Sequence, residues 1–197
     1  MFMLLQNILN FLLFIPLIGT FVLFFIPYEN KILLKQVALF FSSITLNFSL
    51  LLCLIFDKSL GSFQNISKLF WLPFLNINIH LGIDGISLFF LILTTLLIYI
   101  CLLASWTSIF DNVKYFLIFF LLMEFFLIGV FCVLDLLIFY IFFECVLIPM
   151  FFIIGLWGSR ERKIRAAYFF FFFFFYFIWI GFNVVSYYIY VLSNWYD

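Results

Sequence analysis

Six runs of about twenty predominantly apolar residues, separated by short polar segments, leave this chain few ways to fold. In hydrocarbon every backbone N–H and C=O must be satisfied within the protein, so only helices and closed barrels can cross a bilayer. The runs are continuously apolar, which fits helices. The expected fold is an all-α integral membrane protein, one membrane domain over 1–197, with helices at roughly 3–26, 36–56, 84–106, 114–134, 135–156 and 165–190. Polar or turn residues mark each boundary: Glu29 to Lys35, Asp57 to Asp84, Asp111 to Lys114, Asp135, and Gly158 to Arg165. The first residues lack a basic leader and a small-residue cleavage motif, so Met1 to Leu23 is expected to span, not to be a signal peptide.

Composition narrows the function. The chain is 69% hydrophobic and 9% charged, whereas a soluble domain carries about 25% charged residues. Zero net charge gives no bulk attraction to nucleic acid, so the expected surroundings are membrane lipids and other membrane proteins. Cys53, Cys101, Cys132 and Cys145 all lie in apolar runs without Cys-x-x-Cys spacing and are expected to be small buried hydrophobes. A single histidine cannot build a bis-histidine haem site, and no Gly-rich nucleotide loop is present. Redox chemistry is therefore not expected in this chain. Its 36 phenylalanines against four alanines point to an AT-biased coding genome, as in many organelles.

Lysine and arginine placement sets the orientation. The loops on one side, called side two here, hold Lys31, Lys35, Lys114, Arg160, Arg162, Lys163 and Arg165, while side one keeps Lys58 and Lys68. Side two is expected to face the matrix or cytoplasm. The long connection at 57–83 contains a short alternating stretch from Trp71 to His80, expected to form a β-hairpin or interfacial element.

Two acids interrupt otherwise apolar runs. Glu144 lies between Ile141 and Met150, and Glu124 within Phe116 to Leu134. A carboxylate at such depth costs about 2.5–3.5 kcal/mol by insertion scales and normally faces protein or water. Both sit within about 13–17 Å of a turn at Asp135, by a helical rise of about 1.5 Å per residue, and so share one depth. Whether they face each other depends on helix rotation. Both are candidate proton-relay carboxylates; the alternative is a neutral acid hydrogen-bonded to a neighbouring helix. Pro149 supports the relay at Glu144, because it removes the amide that would bond the Cys145 carbonyl. Asp135 reads as a turn and N-cap residue, and Asp84-Gly85 as a helix start. His80 reads as a surface histidine or an exit-side proton group. Trp71, Trp106, Trp157 and Trp195 read as interfacial anchors. The basic loop Trp157 to Arg165 reads as a topology signal or a contact for a partner subunit or lipid headgroups.

Three segments carry a family resemblance. Leu81-Gly82-Ile83-Asp84-Gly85-Ile86-Ser87-Leu88-Phe89-Phe90 resembles the start of the third helix of mitochondrial NADH-ubiquinone oxidoreductase chain 4. The segment 130–150, ending Phe143-Glu144-Cys145-Val146-Leu147-Ile148-Pro149-Met150, resembles that family's fifth helix, and Leu156 to Tyr168 the following loop. The resemblance implies an antiporter-like subunit in the membrane arm of respiratory complex I, in the mitochondrial inner membrane. Such a subunit carries no redox centre; NADH, FMN, iron–sulfur clusters and ubiquinone are bound by other subunits. It moves protons, driven by quinone reduction elsewhere, and the family's fifth-helix glutamate maps onto Glu144.

This sequence also departs from the family. Members carry more helices than six, and the lysines that pair with the fifth-helix glutamate lie on later ones. Phe169 stands where glutamine usually follows Ala166-Ala167-Tyr168. The expectation is a split subunit whose remaining helices come from a second chain 4 fragment, rather than a truncated product. Two other readings compete: a six-helix assembly scaffold without its own proton path, and a related cation/proton antiporter complex.

Overall fold

The computed structural model describes residues 8–57, 62–72, 77–159 and part of 161–187. Five long apolar helices cross its length: α1 (Ile8–Phe25), α2 (Lys31–Ile55), α3 (Gly85–Ser108), α4 (Val113–Cys132) and α5 (Leu136–Trp157). Each coincides with an expected run. The expected helix at 165–190 is only partly described; the residues described between 161 and 187 are helical. Arg160, Arg162, Lys163, Arg165 and Trp195 lie outside the described residues.

One boundary moves. α2 begins at Lys31, not near residue 36, so Lys31 and Lys35 belong to its first turns. From there both lysines reach the end of α3. Lys35 Nζ donates to the carbonyls of Trp106 (2.7 Å) and Ile109 (3.1 Å), and Lys31 Nζ to that of Phe110 (2.9 Å), all at the end of α3. Lys114, 7% exposed in the first turn of α4, donates to the carbonyls of Phe24 (2.8 Å) and Ile26 (2.7 Å), at the end of α1. Helix C-termini leave carbonyls unpaired and carry partial negative charge, so lysines are suited to them. These three lysines lie at one end of the bundle, as the charge bias requires.

Helix α4 is the centre. It packs against α1, α2 and α3 on one side and α5 on the other, while α2 also packs on α1 and α3. The helices are apolar nearly all round, so hydrophobicity does not choose their inward faces. Small and hydroxyl residues do, because they admit close approach and interhelical hydrogen bonds. The interior face of α2 is Leu34, Ala38, Ser42, Thr45, Ser49 and Leu52. A Cβ on Gly19 would lie 2.9 Å from Phe41 Cγ, so α1 and α2 meet there only because the position is glycine. Helix α5 is peripheral among the described residues: of its 22 residues only Ile138 and Pro149 are buried.

The 57–83 connection forms an antiparallel hairpin of β1 (Gln64–Leu72) and β2 (Ile77–Ile83). It is longer than the alternating stretch implies, and its turn, 73–76, lies outside the described residues. Gln64 pairs with Ile83 and Ser67 with Leu81, so β1 carries one extra residue, a bulge at which Asn65 adopts φ 52°. Leu81 and Ile83 join the core formed with Leu9, Leu12, Leu52 and Leu88. The Leu134 amide donates to the His80 carbonyl at 2.9 Å, tying β2 to the turn between α4 and α5. The hairpin thus closes the end opposite the lysines.

Candidate functional site

Glu124 is fully buried on α4. Its Oε1 lies 2.5 Å from Thr45 Oγ1 on α2, and Thr45 Oγ1 is also 2.8 Å from the Ser42 carbonyl. Its Oε2 is buried with no hydrogen-bond partner among the described residues. One turn along α2, Ser49 Oγ meets Thr95 Oγ1 of α3 at 2.9 Å, both fully buried. Each of these hydroxyls also reaches a carbonyl of its own helix: Ser49 that of Leu46 at 2.8 Å, Thr95 that of Ile92 at 3.0 Å. The interior of α2, α3 and α4 therefore holds the Glu124 carboxyl and the hydroxyls of Thr45, Ser49 and Thr95 within largely apolar packing.

Glu144 has a different setting. It is half-buried on α5, and the Tyr140 hydroxyl, one turn before it, donates to its Oε1. Both line a cavity of about 150 Å³ with Cys145, Leu147, Ile148 and Phe170. Gly181 lies against the same tyrosine: a Cβ there would fall 2.7 Å from Tyr140 Oη. Pro149 is buried one turn beyond, and the cavity runs along the helix toward it.

The two acids do not face each other. Helix α5 meets α4 through Phe142, which covers Gly129 and packs edge-on to Phe125 at 5.7 Å, and through Phe152, stacked on Phe119 at 5.0 Å. Glu144 is two residues from Phe142, about 200° round the helix, so it points away from α4. Glu124 in turn points from α4 toward α2. The shared depth remains, but the contact face of α4 and α5 separates the two carboxyls.

The other expected residues fall as follows. Asp135 occupies the N-cap position of α5 without a side-chain cap hydrogen bond. Asp84 caps α3 fully: its Oδ1 accepts from the Gly85 amide (2.6 Å), and its own amide donates to Ser87 Oγ (2.7 Å). Trp106 lies under Lys35 at 5.9 Å, and Trp157 Nε1 donates to the Asp111 carbonyl at 2.9 Å. Thr45, Ser49, Thr95 and Tyr140 are not among the expected site residues. The signal for the first two is present in the sequence, as hydroxyls at 42, 45 and 49 on one face of an apolar run. The signal for Tyr140 is its place one turn before Glu144.

Comparison with known proteins gives this geometry a context. Residues 133–197 match the family model described as NADH:quinone oxidoreductase/Mrp antiporter, TM. The chain is 57% identical over 153 residues to NADH-ubiquinone oxidoreductase chain 4 of Chondrus crispus, covering 78% of this chain and 31% of that protein. It is 54% identical over 160 residues to chain 4 of Arabidopsis thaliana, covering 81% and 32%. In structure it is similar to a chain of "Respiratory complex I from Thermus thermophilus with bound NADH", with a TM-score of 0.66 at 24% identity, over 80% of this chain and 31% of that one. At that identity the likeness is one of fold. The chain spans about a third of the length of the curated relatives it matches. Over that third, with its antiporter-like transmembrane fold, the chain is a homologue of the NADH-ubiquinone oxidoreductase chain 4 proteins.

Proposed function

We propose that this chain is part of a proton-translocating membrane-arm subunit of NADH:ubiquinone oxidoreductase in the mitochondrial inner membrane. Other subunits would bind NADH, FMN, the iron–sulfur clusters and ubiquinone, and the redox steps would occur there. Here Glu144 would take up and release a proton, and Glu124 would be a second, separate relay acid.

The observation that carries the reading is the setting of Glu144. It sits mid-helix, bonded to Tyr140, at a small cavity on the face of α5 turned away from α4, flanked by Phe170 and Gly181. A relay acid at this depth in a membrane needs an opposing charge that can approach or withdraw. Lys31, Lys35 and Lys114 cannot supply it, being held on helix ends at side two. The counter-charge would come from the rest of such a subunit, whichever polypeptide provides it, packed on this face of α5.

Glu144→Gln tests this in the assembled complex. It keeps the size and an acceptor but cannot exchange a proton. The expected result is impaired proton pumping per NADH oxidised with quinone, while NADH oxidation by an artificial acceptor is unchanged. Native pumping in that variant would favour the scaffold reading.

A further inference from the structure

Hydrogen counting at Glu124 gives a result that holds whether or not Glu124 takes part in pumping. A hydroxyl has one hydrogen to donate, and a carbonyl oxygen or a carboxylate has none. Thr45 Oγ1 lies within bonding distance of two oxygens, the Ser42 carbonyl at 2.8 Å and Glu124 Oε1 at 2.5 Å. The Ser42 carbonyl already accepts an amide within α2, as helix carbonyls do, so the Thr45 hydrogen is the one donor that an ionised Glu124 would have among the described residues, in an interior where both side chains are fully buried. If Glu124 carries the hydrogen instead, it donates to Thr45, Thr45 donates to the Ser42 carbonyl, and all three atoms are satisfied.

The second carboxyl oxygen points the same way. Oε2 is buried and meets no partner among the described residues. An unpaired oxygen is far more costly on a carboxylate than on the carbonyl of a neutral acid. No described cation compensates. Lys114, on the same helix as Glu124, is spent on the end of α1, and Lys31 and Lys35, from α2, on the end of α3. The neighbouring polar groups on α2 and α3 are hydroxyls, Ser49 and Thr95.

We propose that Glu124 is a buried proton-holding site: a neutral carboxylic acid in the resting protein, with Thr45 as the positioning residue that accepts its hydrogen bond. The site is built wholly from α2 and α4 and is separate from Glu144.

Infrared spectroscopy of the assembled complex tests this, since a protonated carboxyl and a carboxylate absorb in different regions. In H2O-minus-D2O difference spectra, the native complex should show a protonated-carboxyl C=O band that Glu124→Gln removes. Thr45→Val, which deletes the acceptor at nearly constant shape, should shift that band upward; Thr45→Ser should leave it in place. If the valine variant does not assemble, Thr45→Ala asks the same question. Loss of a carboxylate band in Glu124→Gln, or a protonated band that ignores Thr45→Val, would overturn the proposal. Glutamine retains the N–H donor that a neutral acid supplies, so failure of Glu124→Gln to assemble would also count against it. Native pumping in Glu124→Gln with the expected band changes would leave this site standing and remove Glu124 from the relay.

Discussion

Gly129 shows how much a single position can decide in an apolar bundle. A Cβ there would lie 2.6 Å from Phe142 Cε1, so the ring of α5 occupies the space that a side chain on α4 would fill. Gly129→Ala should force Phe142 aside and cost about 1–3 kcal/mol, the usual range for overpacking. Thermal unfolding of the complex should show the loss, and Phe142→Leu on the same background should recover part of it. If the alanine variant is as stable as the native protein, the close approach of α4 and α5 is wrong. The acids belong to this scale too. Their presence and depth are legible in the sequence, because each is the lone charge in its run. Their facing is not. The α4 sequence around Glu124 is apolar on every side, and only Thr45, Phe142 and Gly129 together reveal that the two carboxyls point apart.

At the scale of elements, helix positions follow from the apolar runs and helix ends follow from chemistry the runs do not contain. Lysines read from sequence as topology markers are also caps. The two fully described helices that start at side two lend lysines to antiparallel neighbours that end there, α2 to α3 and α4 to α1. That contact is long-range, so no local pattern announces it. Lys114 makes the strongest case, since it is nearly buried and lies 4.4 Å over the Tyr28 ring. Lys114→Met should strand two carbonyls and cost about 1–3 kcal/mol, the range for buried groups left unpaired. Lys114→Arg should restore much of it. The readout is the thermal midpoint of the complex, and equal midpoints for methionine and lysine would remove the capping role. The hairpin was legible only in part. Alternation marks the region around Trp71 to His80, but the bulge at Asn65 breaks the period and hides the start of β1.

For the whole molecule the question is which way the bundle stands in the membrane. The charge bias and the structure agree that Lys31, Lys35 and Lys114 share one end, and the hairpin with Lys68 the other. Positively charged ends are retained on the matrix or cytoplasmic side, so the hairpin end should face outward. Glu29 and Ser62 are exposed, lie at opposite ends and make good reporters. In a background without accessible native thiols, Ser62→Cys should react with a membrane-impermeant maleimide added outside inner-membrane vesicles of native orientation. Glu29→Cys should react only after permeabilisation. The reverse pattern would invert the assignment, and with it the side from which protons would approach Glu144. Burial and orientation then meet in α5. It has two buried residues where α4 has ten, yet it carries Glu144, on the face turned away from α4. A helix so placed is held on one side by Phe142 and Phe152, and on the other it meets Phe170 and Gly181 and has room for further protein. Cys145, beside Glu144 on that cavity, should therefore resist a lipid-soluble thiol reagent in the assembled complex and react once the membrane arm is dissociated. Equal reactivity in both states would mean that nothing packs over Glu144, and the proton-relay reading would lose the counter-charge it requires.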